Sequence, residues 1–130
     1  MTLNDPLGSV LSNINNCEKI GRSEIVVKPA SKLIMNVLNI MKDRHYIGEF
    51  STIKDGKGNL IKINLLGNIN KCNVIKPRFP FRVNELNKFE RRFLPAKDFG
   101  FIIVSTSNGL MTHDDARKHN LGGKLVAYVY

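Results

Sequence analysis

The stretch FGFIIVSTSNGLMTHDDARKHNLGGKLVAYVY, residues 99–130, decides the architecture of the second half of the chain. Phe99 to Ser105 has the composition of a buried strand. It runs into Ser105, Thr106, Ser107, Asn108 and Gly109, which are all small, polar or flexible. Thr112-His113-Asp114-Asp115 resembles a capping box, so the spacing predicts a brief helix over Ala116 to Asn120. Leu121-Gly122-Gly123 breaks that helix, and Lys124 to Tyr130 reads as a terminal strand. A strand that ends in hydroxyls is unusual, because each hydroxyl both donates and accepts while adding little bulk. Such a loop can come close to a sugar-phosphate backbone or a base edge, and Gly122-Gly123 leaves room for a second backbone beside it. A turn closed by its own Ser and Thr side chains accounts for the same residues without a ligand.

Working back toward the N-terminus, Pro77-Arg78-Phe79-Pro80-Phe81-Arg82 must be extended or irregular, since proline disfavours helix at itself and at the residue before it. Its arginines and phenylalanines can stack on bases. Phe79 and Phe81 as plugs of a core are the simpler reading. Asn84 to Phe93 reads as a short helix with Leu86, Phe89 and Phe93 inward and Lys88, Arg91 and Arg92 on a solvated face.

The first half reads as helix–strand–helix–strand–strand. Asn4 or Asp5 caps an opening helix that starts near Pro6, carries Leu7, Val10, Leu11, Ile14 and Cys17 as its apolar stripe, and stops at Gly21. Cys17 is expected as a small core residue. Ser23 to Lys28 is a short strand ended by Pro29. A second helix runs to about Arg44 with Leu33, Ile34, Val37, Leu38 and Met41 inward. Its start, Lys28-Pro29-Ala30-Ser31-Lys32, offers free backbone N–H groups, a hydroxyl and two ammonium groups to one phosphate. An ordinary capped helix start with solvated lysines fits equally well. Tyr46–Lys54 and Asn59–Leu66 form a hairpin around Asp55-Gly56-Lys57-Gly58. That Gly-x-Gly lacks a third glycine and leads into a strand, so it is no dinucleotide loop. The boundaries expected are a first domain over 1–67, a linker over 68–76 and a second domain over 77–130.

At 130 residues and 42% apolar, the chain is long enough for a real core. Disordered, collagen-like and disulfide-stapled classes are excluded, and Cys17 and Cys72 form no CxxC pair. The longest apolar run, Leu125 to Tyr130, is far short of the ~20 residues of a membrane span. The opening MTLNDPLGSV carries no basic stretch followed by an apolar one, so no signal peptide is expected and a cytosolic, reduced protein is. The net charge of +9 favours a polyanion partner. The excess is spread: residues 1–75 hold ten basic and six acidic groups, and residues 76–130 hold ten and five. A membrane surface would need a helix with one basic and one apolar face, and the second helix has only Lys32, Lys42 and Arg44, too few; no helix–turn–helix with a basic recognition face is visible for DNA.

Catalytic readings are poor. Ser105 or Ser107 with His113 or His119 and Asp114 invites a triad, but no Gly-x-Ser-x-Gly elbow is present. Asp114 and Asp115 fall in a first helical turn, where carboxylates favour the positive dipole end anyway. His113 and His119 lie six apart, off the spacing that aligns metal ligands on one helix face.

The run from Ser105 to Tyr130 resembles the signature of the small-subunit ribosomal protein S8 family: S-T-S-x-G-x-M-T, an alanine, G-G and a terminal aromatic strand. Asp5-Pro-Leu with its helix and Val27-Lys-Pro-Ala-Ser-Lys32 resemble it too, and the resemblance spans the chain. The Phe79–Pro95 segment looks like the archaeal and eukaryotic branch. The resemblance implies an α/β (α+β) fold of two small packed units, the second mainly antiparallel. It implies a non-enzymatic protein without cofactor or metal, a monomer when free, in the cytoplasmic small ribosomal subunit. Its expected partners are a helical element in the central domain of small-subunit ribosomal RNA, neighbouring ribosomal proteins and, as for some members, a mimic of the site in its own messenger RNA. Mapped residue by residue, the RNA contacts implied are Ser105, Thr106, Ser107, Asn108 and Gly109, the adjacent Gly122, Gly123 and Lys124, and Lys28, Pro29, Ser31 and Lys32. Specificity would come from the hydroxyl loop and affinity from the lysines.

Overall fold

The computed structural model describes residues 6–27, 32–55, 58–75, 78–96 and 99–130. Two compact units divide between Asn70 and Lys71. The fold is α+β, and all strand pairs are antiparallel.

In the first unit, helix α1 spans Pro6–Lys19 and buries Leu7, Val10, Leu11 and Ile14. Cys17, expected in that core, is only half-buried, because it sits in the last turns, where the stripe runs out. Gly21 ends the helix at φ +77, where Arg22 N–H reaches back to the Cys17 carbonyl. The caps expected at Asn4 and Asp5 lie outside the described residues. Helix α2, Lys32–Asp43, buries Ile34, Val37, Leu38 and Met41, while Leu33 is half-buried.

Strands β1 (Glu24–Val27), β2 (Ile47–Asp55) and β3 (Gly58–Leu65) form a sheet in the order β1-β3-β2. Ile25 and Val27 on β1 face Ile63 and Ile61 on β3, and all four are buried, so alternation fixes the register. Each such side chain contributes roughly 1.5–3 kcal/mol. The helices cover the sheet, α1 against β1 and α2 against β2. The turn residues Gly56 and Lys57 lie outside the described residues.

The stretch 68–76, expected as a linker, is partly structured. Glu18 accepts the backbone N–H of Gly67 and of Ile69, at 3.3 and 3.2 Å, which ties that end to α1. Cys72–Val74 is then a strand, β4. Its three residues are too few for a periodic signal, and its Asn and Lys neighbours mimic a loop; burial of Cys72 and Ile75 holds it in the sheet.

The second unit is built on β4, β5 (Pro80–Phe81), β6 (Phe101–Thr106), β7 (Gly109–Thr112) and β8 (Gly123–Val129). Strand β8 is central. It pairs β6 along its length, β4 at its C-terminal end and β5 at its start, and β6 pairs β7. Helices α3 (Leu86–Phe93) and α4 (His113–Lys118) pack on β6, and Val83–Glu85 forms a 3-10 turn before α3. Ile102, Val104, Leu125, Phe81, Leu86, Phe89 and Ala116 meet in the core. Phe81 is therefore a core plug as expected, and Phe79 lies at the core's edge.

Candidate nucleic-acid interface

At one end of the second sheet, four strands line up in two rows. Pro80, Lys124, Ser105 and Leu110 stand side by side, and next to them Phe81, Gly123, Thr106 and Gly109. The hydroxyl-rich stretch is thus a tight hairpin joining β6 to β7, and β7 itself was not legible in the sequence. Ser107 and Asn108 form its corner. The left-handed residue is Gly109 at φ +104, a conformation that glycine takes without a Cβ penalty.

A bulge in β8 sets the chemistry of this end. The register shifts between Ile103 and Val104, so that Ile103 faces Ala127 but Val104 faces Leu125. Val126 is the extra residue. Without it Leu125 would stand opposite Ser105; with it Lys124 does. Directly opposed residues project to the same face, so an exposed hydroxyl and an exposed ammonium stand together.

The three hydroxyls divide into two classes. Thr106 is engaged within the hairpin: its Oγ1 donates to the Gly109 carbonyl at 2.9 Å and accepts the Asn108 N–H at 3.2 Å. Ser105 and Ser107 are exposed, and neither hydroxyl has a partner among the described residues. The two glycines are explained from within. A Cβ on Gly123 would overlap the Ser105 carbonyl oxygen, and one on Gly122 would sit 3.0 Å from the Phe81 carbonyl oxygen. The second backbone for which the sequence left room is the chain's own. Arg82, which the sequence offered only within a run able to stack on bases, has its Cα 3.8 Å from that Gly122 position and is exposed, adding a second cation. Its place beside Gly122 comes from a contact between segments far apart in the chain, which no local pattern marks.

Of the N-terminal group, Lys32 is exposed as the first residue of α2, in the first unit. Lys28, Pro29 and Ser31 lie outside the described residues.

Behind the hairpin, polar groups lock the helices to the sheet. Thr112 caps α4 by accepting the Asp115 N–H at 3.3 Å. His113, 3% exposed, accepts the Ile102 N–H on Nδ1 at 3.1 Å. Its proton therefore resides on Nε2, 3.1 Å from a Glu90 carboxylate oxygen and 3.5 Å from Asp114. Arg117 completes the cluster through Glu90 and through Asn87 at 3.1 Å. Glu90, His113 and Asp114 lie close enough together to hold a metal ion. A cation on Nε2 would need the lone pair that the proton occupies and would have to displace Arg117 from Glu90, so the donor set does not fit one. Nor is there a triad among the described residues: the nitrogens of His113 are engaged by Ile102 and Glu90.

The family model for ribosomal protein S8 matches residues 5–130. The chain belongs to this family. S8 proteins are structural proteins of the small ribosomal subunit, a cytoplasmic particle, and bind ribosomal RNA; the family is not known for catalysis. This S8 protein contains no helix, among its described residues, that is long and apolar enough to cross a membrane.

Proposed function

We propose that this protein binds the central domain of small-subunit ribosomal RNA directly, through the Ser105–Gly109 hairpin with Lys124, and that binding helps assemble the subunit platform. The observation that carries this reading is the pairing of Ser105 with Lys124 across two strands, both exposed, beside the unpartnered hydroxyl of Ser107. An A-form duplex hides its bases in a deep, narrow major groove and displays 2′-hydroxyls and base edges in a shallow minor groove. Short hydroxyl side chains reach that surface and both donate and accept there. The Lys124 ammonium supplies charge for the adjoining phosphate, with Arg82 beside it.

Gly109 turns the hairpin, Gly122 and Gly123 hold the neighbouring bend tight against the Ser105 and Phe81 strands so that its backbone faces the same RNA, and Asn108 lies at the corner. Lys28, Pro29, Ser31 and Lys32 form a second phosphate contact from the first unit. Neighbouring ribosomal proteins dock once the RNA is bound, and the free chain is a monomer. A hairpin in the protein's own messenger RNA that mimics the ribosomal site binds the same surface and allows repression of translation.

Hydroxyl-radical footprinting on a full small-subunit RNA tests this. Protection is expected at an irregular helix of the central domain and should vanish with Ser107→Ala at matched protein concentration. Protection confined to another domain would overturn the reading.

A further inference from the structure

On the core face of the second sheet, helix α3 ends at Phe93, and aromatic rings continue the surface beyond it. Phe93 stacks on Tyr128 with centroids 5.6 Å apart, Tyr128 on Tyr130 at 6.1 Å, and Tyr130 meets Phe99 at 6.3 Å. In the other direction the Arg92 guanidinium bridges two rings, 5.5 Å from Phe93 and 5.1 Å from Phe79. Phe79 in turn stacks on Phe89 at 6.3 Å, where the Lys88 ammonium lies 5.9 Å from the ring centre. The result is one continuous row of rings crossed by two cations.

The row packs against the core but is not enclosed by it. Phe79, Phe93, Tyr128 and Tyr130 are only partly buried, and Phe99 is 47% exposed. The backbone is bent to bring Phe99 there. Gly100 takes φ +84, and a Cβ at this position would overlap the Val129 carbonyl oxygen and the Tyr130 side chain. Arg78, Lys88, Arg91 and Arg92 are exposed, and among the described residues none of these cations forms an ion pair. Glu90, the acid within α3, is turned inward to His113 and Arg117. A partner with flat π-faces and regularly spaced negative charge matches both features. Unpaired nucleotides have them: bases stack on rings and guanidinium planes, and phosphates take the remaining charge.

We propose that this row is a second RNA-contacting surface, a stacking platform for a single-stranded segment. It rests on the RNA-binding reading above but is a separate site, because the row lies on the sheet face that carries Leu125 and Tyr128, and Lys124 and Ser105 project from the opposite face.

The sequence supplies a direct probe. It holds three tyrosines and no tryptophan, so a Tyr46→Phe background confines the intrinsic emission to Tyr128 and Tyr130. Titrating that full-length protein with a single-stranded oligoadenylate at low salt should quench the emission. Phe99→Leu with Arg92→Gln, both at exposed positions, should still unfold in one cooperative urea transition, at a slightly lower midpoint for the lost ring contacts, and should weaken oligoadenylate binding about tenfold. Ser107→Ala should leave it intact while losing the structured small-subunit RNA. No quenching overturns the platform, whatever the hairpin does. So does equal loss in Ser107→Ala, which would merge the two sites. If oligoadenylate has no effect yet the Phe99→Leu, Arg92→Gln protein fails to enter small subunits, the row faces a protein and the proposal is wrong. Failure of the unmodified protein to bind structured small-subunit RNA, with oligoadenylate still bound, would sink the hairpin reading alone.

Discussion

Gly123 and Ser105 meet backbone to backbone: a Cβ on the glycine would overlap the serine's carbonyl oxygen. This contact sets the position of the hairpin relative to β8. It lies beside the pair that the bulge at Val126 brings together, Ser105 with Lys124.

Gly123→Ala is therefore expected to cost about 1–3 kcal/mol, as overpacking does in a sheet that cannot open. Gly109→Ala provides a contrast. Nothing lies within 4 Å of its added Cβ, so only the left-handed φ is strained, at about 1–2 kcal/mol. Urea unfolding midpoints measure both. Gly123→Ala with unchanged stability would show that the strands can part freely.

Ser107→Ala and Thr106→Ala separate recognition from structure. The Ser107 hydroxyl has no partner among the described residues, so its loss should leave stability unchanged and reduce RNA affinity by about 1–3 kcal/mol. The Thr106 hydroxyl holds the turn through Gly109 and Asn108, so its loss should cost about 1 kcal/mol of stability as well. Filter binding beside chemical denaturation distinguishes the pair. Identical profiles for both variants would contradict the division.

Lys32→Ala should weaken cognate and unrelated RNA alike and flatten the salt dependence by about one phosphate contact. Affinity measured across a salt series reports it. A loss restricted to cognate RNA would mean that Lys32 reads shape or sequence instead.

Glu90→Ala should be among the more costly polar changes in the second unit. It strips the acceptor from buried His113 and from half-exposed Arg117, at about 2–3 kcal/mol. Asp114→Asn should cost less, since Asp114 is more exposed and its contacts to His113 and Arg117 are longer, at 3.5 and 3.6 Å. Thermal unfolding ranks the two, and the reverse order would refute the central place of Glu90.

Burial pushes the Tyr46 phenol above its usual range, against an opposing pull from Arg44. The folded protein then holds that proton while the unfolded chain gives it up above about pH 10. Stability should accordingly fall as pH rises past that point. Tyr46→Phe should remove this part of the decline, visible in urea midpoints on either side of it. An unchanged alkaline decline would assign the effect to other groups.

Much of this was legible in the residues themselves. The stripes of α1 and α2, the stop at Gly21 and the alternation in β1 and β3 are local patterns, because helices and half-buried strands repeat within a few residues. Helix α4 was recognised from Thr112, although its end is a left-handed Asn120 at φ +57 ahead of the glycines expected to break it. The short strands β4 and β7 were not legible. Too brief to carry a period, they are held by partners far along the chain. The role of His113 was hidden for the same reason, since its acceptor and donor partners come from β6 and α3.

Composition and motif alone determined that the chain is a basic α+β protein whose hydroxyl run and twin glycines match one family, because charge and small-residue spacing are properties of the string. Tertiary structure decided what those residues face. A single bulge at Val126 exchanges Leu125 for Lys124 opposite Ser105, and the glycines make room for the chain's own strands. Both outcomes depend on register between distant segments, which sequence spacing does not encode.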